Sequence, residues 1–375
     1  MLRSLLLALS LAAAGPALAQ TSEAPPPRTY TQADIWSRSG DRIRFTLAGI
    51  SVPAALGTLR FGRTAEASRE GQALDNALLY ASADQAVFAT VYIYAPALPD
   101  AALTAFMTDH AIHLQSGSEL RVLRRSVAAA GGREGVAIRA DYAGFRQDRL
   151  ASSAAFLRVG RWIVKLRVSG PEARRAEVEE AMNSLLRDIR FEGRVMPAAA
   201  TPIAVGNCER APERAGRPMP SEDADTMEDA IMAVFLSEDD VAEGRSAPPP
   251  PARVGPGWCR SEGYSIPDAL GPTPVLRDPN VATGDDIRHS IAIALWGDNG
   301  TMLEVVERRF RQRRRFVLVH HQIGQTTILG AYDAVPTDAQ LRDVAMGTDR
   351  EGGRIRASIV YRAGGGSDVN LGIGR

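Results

Sequence analysis

The residues best able to do chemistry are five histidines and the carboxylates near them. Histidines at i and i+3, as in His110 and His113, can share a metal ion, with Asp109 or Glu119 as a third ligand. His110, however, also belongs to an apolar helical face. The other members of that face are Leu103, Phe106, Met107 and Leu114. Burial as a neutral, hydrogen-bonded imidazole suits such a position, so we predict a packed histidine and no metal site.

A second pair of histidines, His320 and His321, ends an apolar strand. Neighbouring residues of a strand point to opposite faces, so this pair cannot hold one ion. One histidine can still act with a carboxylate as an acid–base pair. An alternative prediction is therefore a hydrolase site at a domain interface, in which His289 or His320 acts with Asp285 or Asp286.

Six arginines crowd residues 308–315. They are Arg308, Arg309, Arg311, Arg313, Arg314 and Arg315. If the flanking strands pair, these guanidinium groups lie together at a hairpin tip, where they repel one another unless an anion or a carboxylate lies among them. We predict an anion- or partner-binding site here, for an envelope protein, a lipid phosphate or an anionic polysaccharide. Pairing within the chain is the alternative.

An acidic insert spans residues 221–244, with nine acidic residues and no basic one. Asp223, Asp225 and Glu228 could offer oxygen ligands to calcium. The insert lacks the alternating ligands and the glycine of a calcium loop, so we interpret it as the solvated flank of a short helix. It is also a candidate partner for the arginines within the chain.

Standard catalytic signatures are absent from the sequence. It has no Gly-x-Ser-x-Gly, Ser-x-x-Lys or His-Glu-x-x-His motif, and no phosphate loop ending in Gly-Lys. We therefore assign no catalytic residue, and we expect neither a cofactor nor a bound metal.

The first 19 residues have the pattern of a secretory signal. Arg3 precedes an apolar stretch at 5–14, and a small-residue cleavage pattern ends at Ala19. We therefore predict a protein of the periplasm or the exterior, and we expect no nucleic-acid partner. No later apolar run approaches the roughly 20 residues that span a bilayer, so no transmembrane segment is expected.

The only two cysteines, Cys208 and Cys259, fit this prediction of export. An even number of cysteines in an oxidising compartment favours a structural disulfide. A redox role is disfavoured because the sequence has no Cys-x-x-Cys spacing.

Charge gives little guidance to function. Basic and acidic residues number 44 each, so no whole-protein field attracts a polyanion. Lys165 is the only lysine, and arginine is spread through every segment. We interpret this usage as a base-composition bias, which weakens any argument from a single arginine.

The elements that must position these residues form two predicted domains. A proline-rich tether at 20–34 leads into a first domain at 35–193, with the order β, β, β, α, β, β, β, β, α. Short turns between consecutive strands imply an antiparallel sheet, which two helices starting near Pro99 and Pro171 would cover. The predicted strands are 43–47, 74–82, 87–94, 120–127, 135–142, 150–158 and 162–168.

This arrangement resembles the PsbP-like α/β fold of photosystem accessory subunits and small bacterial envelope proteins. The resemblance rests on the glycine-led strand at 135–142, the strand-turn-strand at 150–168 that ends in Ser169-Gly170-Pro171-Glu172, and the helix end Leu185-Leu186-Arg187-Asp188-Ile189. It covers residues 43–191 and implies an accessory or binding role. It supplies no catalytic residues.

A linker at 194–204 separates this domain from a second α+β domain at 205–375, tied by the disulfide. Asn299-Gly300 marks a hairpin within a β-meander, a helix follows at 336–344, and a glycine-rich tail at 364–375 is predicted to be disordered. The sequence as a whole predicts an α+β protein, exported, with a non-catalytic accessory or binding role in the cell envelope. A hydrolase is the alternative.

Overall fold

The computed structural model describes residues 29–68, 71–145, 150–193, 195–210, 212, 214–220, 254–266, 271–279, 289–310 and 313–371. The predicted signal segment, the tether up to residue 28 and the acidic insert lie outside these residues.

A small antiparallel sheet stands near the start of the described chain. Thr31 caps helix α1 (Gln32–Ile35) through a reciprocal pair of hydrogen bonds with Asp34. The sheet has the order β1-β2-β3-β12, where β1 is Trp36–Ser39, β2 is Arg42–Phe45, β3 is Ile50–Pro53 and β12 is Arg190–Phe191.

A larger antiparallel sheet of eight strands follows, with the order β4-β5-β6-β7-β11-β10-β9-β8. Its strands are β4 (Ala55–Leu56), β5 (Leu59–Glu66), β6 (Asp75–Ala81), β7 (Phe88–Tyr94), β8 (Arg121–Ala130), β9 (Arg133–Phe145), β10 (Leu150–Val159) and β11 (Trp162–Pro171). Alternation of buried and half-buried residues along β6 fits a sheet with two unequal faces.

Two helices pack on this sheet from opposite sides. Helix α2 (Ala101–Ser116) places Ala101 in an apolar cluster with Phe156, whereas helix α3 (Arg175–Asp188) places Met182 in a cluster with Leu157. Because consecutive residues of β10 point to opposite faces, the two helices lie on opposite faces as well.

Described strands from residue 206 onward form a ten-stranded sheet. Its main path is β13-β15-β16-β17-β18-β19-β20-β21-β22, and β14 pairs with β20. The strands are β13 (Gly206–Asn207), β14 (Pro218–Met219), β15 (Cys259–Tyr264), β16 (Thr273–Arg277), β17 (His289–Leu295), β18 (Met302–Phe310), β19 (Arg313–Gln322), β20 (Gln325–Tyr332), β21 (Ala357–Tyr361) and β22 (Ser367–Leu371). The pairing of β13 with β15 is parallel. Helix α4 (Asp338–Ala345) packs its Leu341 and Val344 against one face.

The predicted α+β class is wrong. Among the described residues the structure is mostly β, with 49% strand and 17% helix, and three sheets carry this part of the fold. The error has a physical source in residues 36–66, where three of the four residues of β1 are exposed and only one residue of the eight in β5 is buried, so the apolar pattern of these strands is weak. In addition, α2 and α3 do not cover one face of a sheet together.

The predicted disorder of the glycine-rich tail is also corrected over its described part. Gly365 and Gly366 have positive φ angles and form a turn, after which β22 pairs with β21. Backbone hydrogen bonding of residues 367–371 therefore extends the sheet by one strand.

Apolar side chains from both halves of the chain form one cluster at their junction. Leu98, Leu103 and Met107 come from the α2 region. They pack with Trp258, Leu276, Ile293, Leu295 and Met302. Backbone contacts reinforce the junction, since the Ala97 amide donates to the Gln322 carbonyl at 2.8 Å. The two halves thus share a hydrophobic core.

Candidate functional site

The predicted disulfide between Cys208 and Cys259 is confirmed. Cys208 follows the short strand β13, and Cys259 begins β15, its parallel neighbour. The Cys208 amide also donates to the Arg260 carbonyl at 2.9 Å. The bond therefore fastens an edge of the ten-stranded sheet, and it is compatible with an exported protein.

A cavity of about 710 Å³ opens beside this bond, and we call it the disulfide cavity. This volume lies within the range of small-molecule sites in proteins. Its walls include Asn207, Arg210, Trp258, Arg277, Ile291 and Val335. Apolar and polar groups therefore face the same space.

Arg277 is the most constrained polar group of the disulfide cavity. It ends β16 and is only 4% exposed. Its Nε donates to Oδ1 of Asp338 at 3.2 Å, and its Nη2 donates to the Pro336 carbonyl at 3.1 Å. Arg277 and Asp338 also form an ion pair. A buried guanidinium needs such a partner to offset the loss of its hydration.

Asp338 is fixed in turn by donors from β15. Its Oδ2 accepts from the Ser261 hydroxyl at 2.7 Å and from the Gly263 amide at 3.0 Å. Gly263 occupies a bulge with φ of +75°, and a Cβ there would lie 1.9 Å from the Thr273 carbonyl oxygen. Glycine is required for this close approach, which lets the β15 backbone reach Asp338.

The hydrogen bonds described above use two of the three guanidinium nitrogens of Arg277, and Nη1 remains. Among the described residues, its Nη1 has no hydrogen-bond partner although it is buried. Leaving a buried charged donor unsatisfied costs about 1–3 kcal/mol or more. Arg277 itself lines the disulfide cavity. Arg277 was not predicted as a site residue, because the sequence shows it only as one of 43 arginines.

Trp258 supplies an aromatic wall to the disulfide cavity. It is 7% exposed and belongs to the apolar cluster at the junction with α2. That packing limits its movement. The cavity thus combines a fixed apolar surface with a fixed donor, which is an arrangement that orients an amphipathic ligand.

The predicted arginine cluster lies where β18 and β19 pair, with Arg308 opposite Arg315. Arg315 is 5% exposed, and the exposed Arg314 donates to the buried Glu307 at 2.7 Å. Arg311 and the side chains of Arg309 and Arg313 lie outside what the structure describes. Binding of a partner by this cluster stays a prediction.

The predicted hydrolase residues are only partly described. Asp285, Asp286 and the side chain of His289 lie outside the described part of the chain. His320 packs against Trp296, with 4.7 Å between ring centroids. Burial, together with neighbouring His321, lowers the pKa of His320 to about 4. His320 is therefore neutral at pH 7, and the hydrolase stays a prediction.

His321 points to the other face of β19 and joins a buried polar line that sequence reasoning missed. Its Nε2 lies 2.9 Å from a Glu304 carboxylate oxygen, and its Nδ1 lies 3.1 Å from the Thr326 hydroxyl oxygen. An acid, a histidine and a hydroxyl in this order can activate a nucleophile. Here each of the three is at most 2% exposed, so this line is part of the core.

Of the first histidine pair, His110 contacts the second half of the chain. His110 is half-buried, and its Nε2 lies 2.9 Å from the Pro272 carbonyl oxygen of the second half. Asp109 accepts hydrogen bonds from Tyr142 at 2.9 Å and from Arg125 at 2.6 Å. In the part of the chain that the structure describes, no three His, Cys, Asp or Glu side chains are grouped to hold a metal ion. The calcium candidates Asp223, Asp225 and Glu228 lie outside it.

Two comparisons with known proteins give no relatives. No protein-family model matches the chain, and no curated protein matches it. The PsbP-like resemblance of residues 43–191 therefore stays a prediction. None of the described helices is long and apolar enough to cross a membrane.

Proposed function

We propose that this protein is a non-catalytic binding protein of the cell envelope that takes a small organic carboxylate into the disulfide cavity. The observation that carries the proposal is Arg277, a buried residue that lines the cavity and whose Nη1 has no hydrogen-bond partner among the described residues. A carboxylate oxygen is the acceptor that a guanidinium binds most strongly.

The rest of the disulfide cavity indicates the body of the ligand. Trp258, Ile291 and Val335 offer apolar surface close to the arginine. A ligand with one carboxylate and a short apolar or aromatic body would bury that body against these residues while its charge reaches Arg277. Glu209 and Asp278 also line the cavity, and they disfavour a second negative charge on the ligand.

The proposal also includes the cellular compartment of the protein. A secretory pattern in the first 19 residues and a disulfide both support export, and we assign the protein to the periplasm. A binding role there agrees with the absence of catalytic motifs from the sequence.

Calorimetric titration with benzoate and with hexanoate tests this function. The protein should bind at least one of the two saturably. Arg277→Lys should weaken that binding at least about tenfold, because lysine keeps the charge that pairs with Asp338 but loses the forked donor.

Arg342→Lys is the matched control, since Arg342 is exposed on α4 and pairs with its neighbour Asp343. It should bind as the unchanged protein does. Equal affinity in the Arg277→Lys protein, or no saturable binding of either acid at millimolar concentration, would refute the proposal. Far-ultraviolet circular dichroism of each variant checks that the sheets remain folded.

A further inference from the structure

The only lysine of the chain lies buried at the junction of the two halves. Lys165 stands in the middle of β11, opposite Tyr92 of β7 and Phe156 of β10. It is 6% exposed, and its Nζ lies 5.6 Å from the centroid of the Tyr92 ring. The side chain therefore leaves the sheet on the face that also carries α2 and meets the second half.

Lys165 lines a second cavity, of about 230 Å³, which we call the junction cavity. Its polar lining includes Asp75, Asn76, Tyr92, Lys165, Arg167 and Asp298. The space is suited to a molecule of a few non-hydrogen atoms. It is separate from the disulfide cavity, with which it shares no lining residue.

The turn between β17 and β18 closes the junction cavity from the second half. Asp298 in this turn forms an ion pair with Lys165, and its backbone carbonyl accepts from the Tyr94 hydroxyl at 3.3 Å. Gly300 has a φ of +86°, and a Cβ there would lie 2.7 Å from Cβ of Pro96. The turn thus docks closely on the first half.

The surroundings of Lys165 lower the pKa of its amine. Burial lowers the pKa of Lys165, and the Asp298 carboxylate opposes that effect only in part, while Arg167 adds to it. Burial and the nearby Glu66 raise the pKa of Asp75. A buried amine with a lowered pKa is a nucleophile near neutral pH, since a larger fraction of it is unprotonated.

We propose that Lys165 is a nucleophilic amine that binds a small carbonyl compound in the junction cavity as a reversible imine. The Nζ lone pair attacks the carbonyl carbon, and a carbon–nitrogen bond forms. The two hydrogens of the neutral amine leave with the carbonyl oxygen as water, which yields the carbon–nitrogen double bond. The Asp75 carboxyl lines the same cavity and can carry these protons between nitrogen and oxygen.

A purely structural role of Lys165 leads to a different expected reactivity. If Lys165 serves only to pair with Asp298 across the junction, the folded protein should shield the amine from reagents, and labelling should require unfolding. The two roles therefore differ in the reactivity of Nζ in the folded state.

Reductive labelling with propanal and sodium cyanoborohydride near pH 7 distinguishes them. The reductant converts each imine to a stable propylamine, and peptide mass spectrometry assigns the label. The test uses the Arg121→Lys variant, because Arg121 is exposed on β8 and its replacement adds an ordinary surface amine to the same molecule. The amine at the chain start is resolved as a separate peptide.

Lys165 should be labelled severalfold faster than the lysine introduced at position 121, because its lowered pKa leaves a larger fraction of the amine unprotonated. Its rate should also saturate with propanal concentration, as binding in a cavity requires, whereas the surface amine should react in proportion to concentration. Labelling of Lys165 that is slower than that of the surface amine, or that appears only in denaturant, would overturn the proposal. Either result is independent of carboxylate binding in the disulfide cavity.

Discussion

At the scale of single residues, the side chains with the most unusual environments are not those that the motifs emphasised. The histidines and the tip arginines attract attention in the sequence because they cluster. Arg277 and Lys165 belong to no such cluster in the sequence. Each is buried, and it becomes distinctive only because distant segments pack around it. Lys165 did carry one signal, as the only lysine of the chain, but its burial depends on the turn at Asp298.

His320 provides a test at this scale. Its pKa is lowered to about 4, chiefly by burial, whereas an unfolded histidine takes up a proton near 6.5. Between these pH values the unfolded state binds more protons, so the free energy of unfolding falls as pH falls. The stabilising contribution is fully present above pH 6.5.

The variant His320→Phe keeps an aromatic ring against Trp296 and removes the titrating group. Between pH 7 and pH 5 the free energy of unfolding of this variant should fall by roughly 1–2 kcal/mol less than that of the unchanged protein. Urea denaturation at the two pH values measures the difference. If the free energy of unfolding falls equally in both proteins, His320 is not buried as a neutral ring.

At the scale of elements, the sequence predicts the long strands well and the short ones poorly. The hairpin expected at 150–168 is found as β10 and β11, and the helix expected after Pro99 is α2. These segments have strong apolar periodicity and clear turns. Of the strands β1 to β5, only β2 was predicted, through its overlap with the strand expected at 43–47. Exposed arginine and serine side chains weaken the apolar pattern of β1, and β5 has a single buried residue, so only pairing with neighbours makes these strands regular.

The disulfide gives a prediction for one pair of elements, β13 and β15. Replacing both cysteines, as Cys208→Ser with Cys259→Ser, frees a loop of 51 residues in the unfolded chain. Loop entropy then lowers the free energy of unfolding by up to about 4 kcal/mol. Chemical denaturation without reductant measures this loss.

The same variant should also weaken benzoate or hexanoate binding, because Asn207 and Cys259 line the disulfide cavity. The unchanged protein treated with reductant is the matched comparison. If the double variant has the same stability and affinity as the oxidised protein, the bond does not organise this edge of the sheet.

At the scale of the whole molecule, the two halves predicted from the sequence are joined by more than a linker. Each large sheet draws its strands from one half. Their shared apolar cluster and the Lys165–Asp298 ion pair could not be predicted, since apolar periodicity identifies a buried face but not what covers it. The apolar stripe of α2 illustrates this, because its Leu103 packs against the second half.

Leu103→Ala tests whether the halves unfold together. Leu103 is 1% exposed in the shared cluster, so its truncation should lower the free energy of unfolding by about 2–5 kcal/mol. Hydrogen exchange followed by mass spectrometry should show faster exchange in both β10 and β19. The control Leu123→Ala removes an exposed leucine from β8 and should change stability by less than about 0.5 kcal/mol. Faster exchange confined to β10 would show that the halves are energetically separate.

The position of the disulfide has a consequence for survival in a compartment rich in proteases. Every peptide bond between Cys208 and Cys259 lies inside a covalent loop. A single cut anywhere in that loop leaves two polypeptides that remain linked through sulfur, and the parallel pairing of β13 with β15 keeps the ends of the loop together. Proteolytic nicking of this loop would therefore leave one molecule, whose two pieces separate only when the bond is reduced and the sheets unfold.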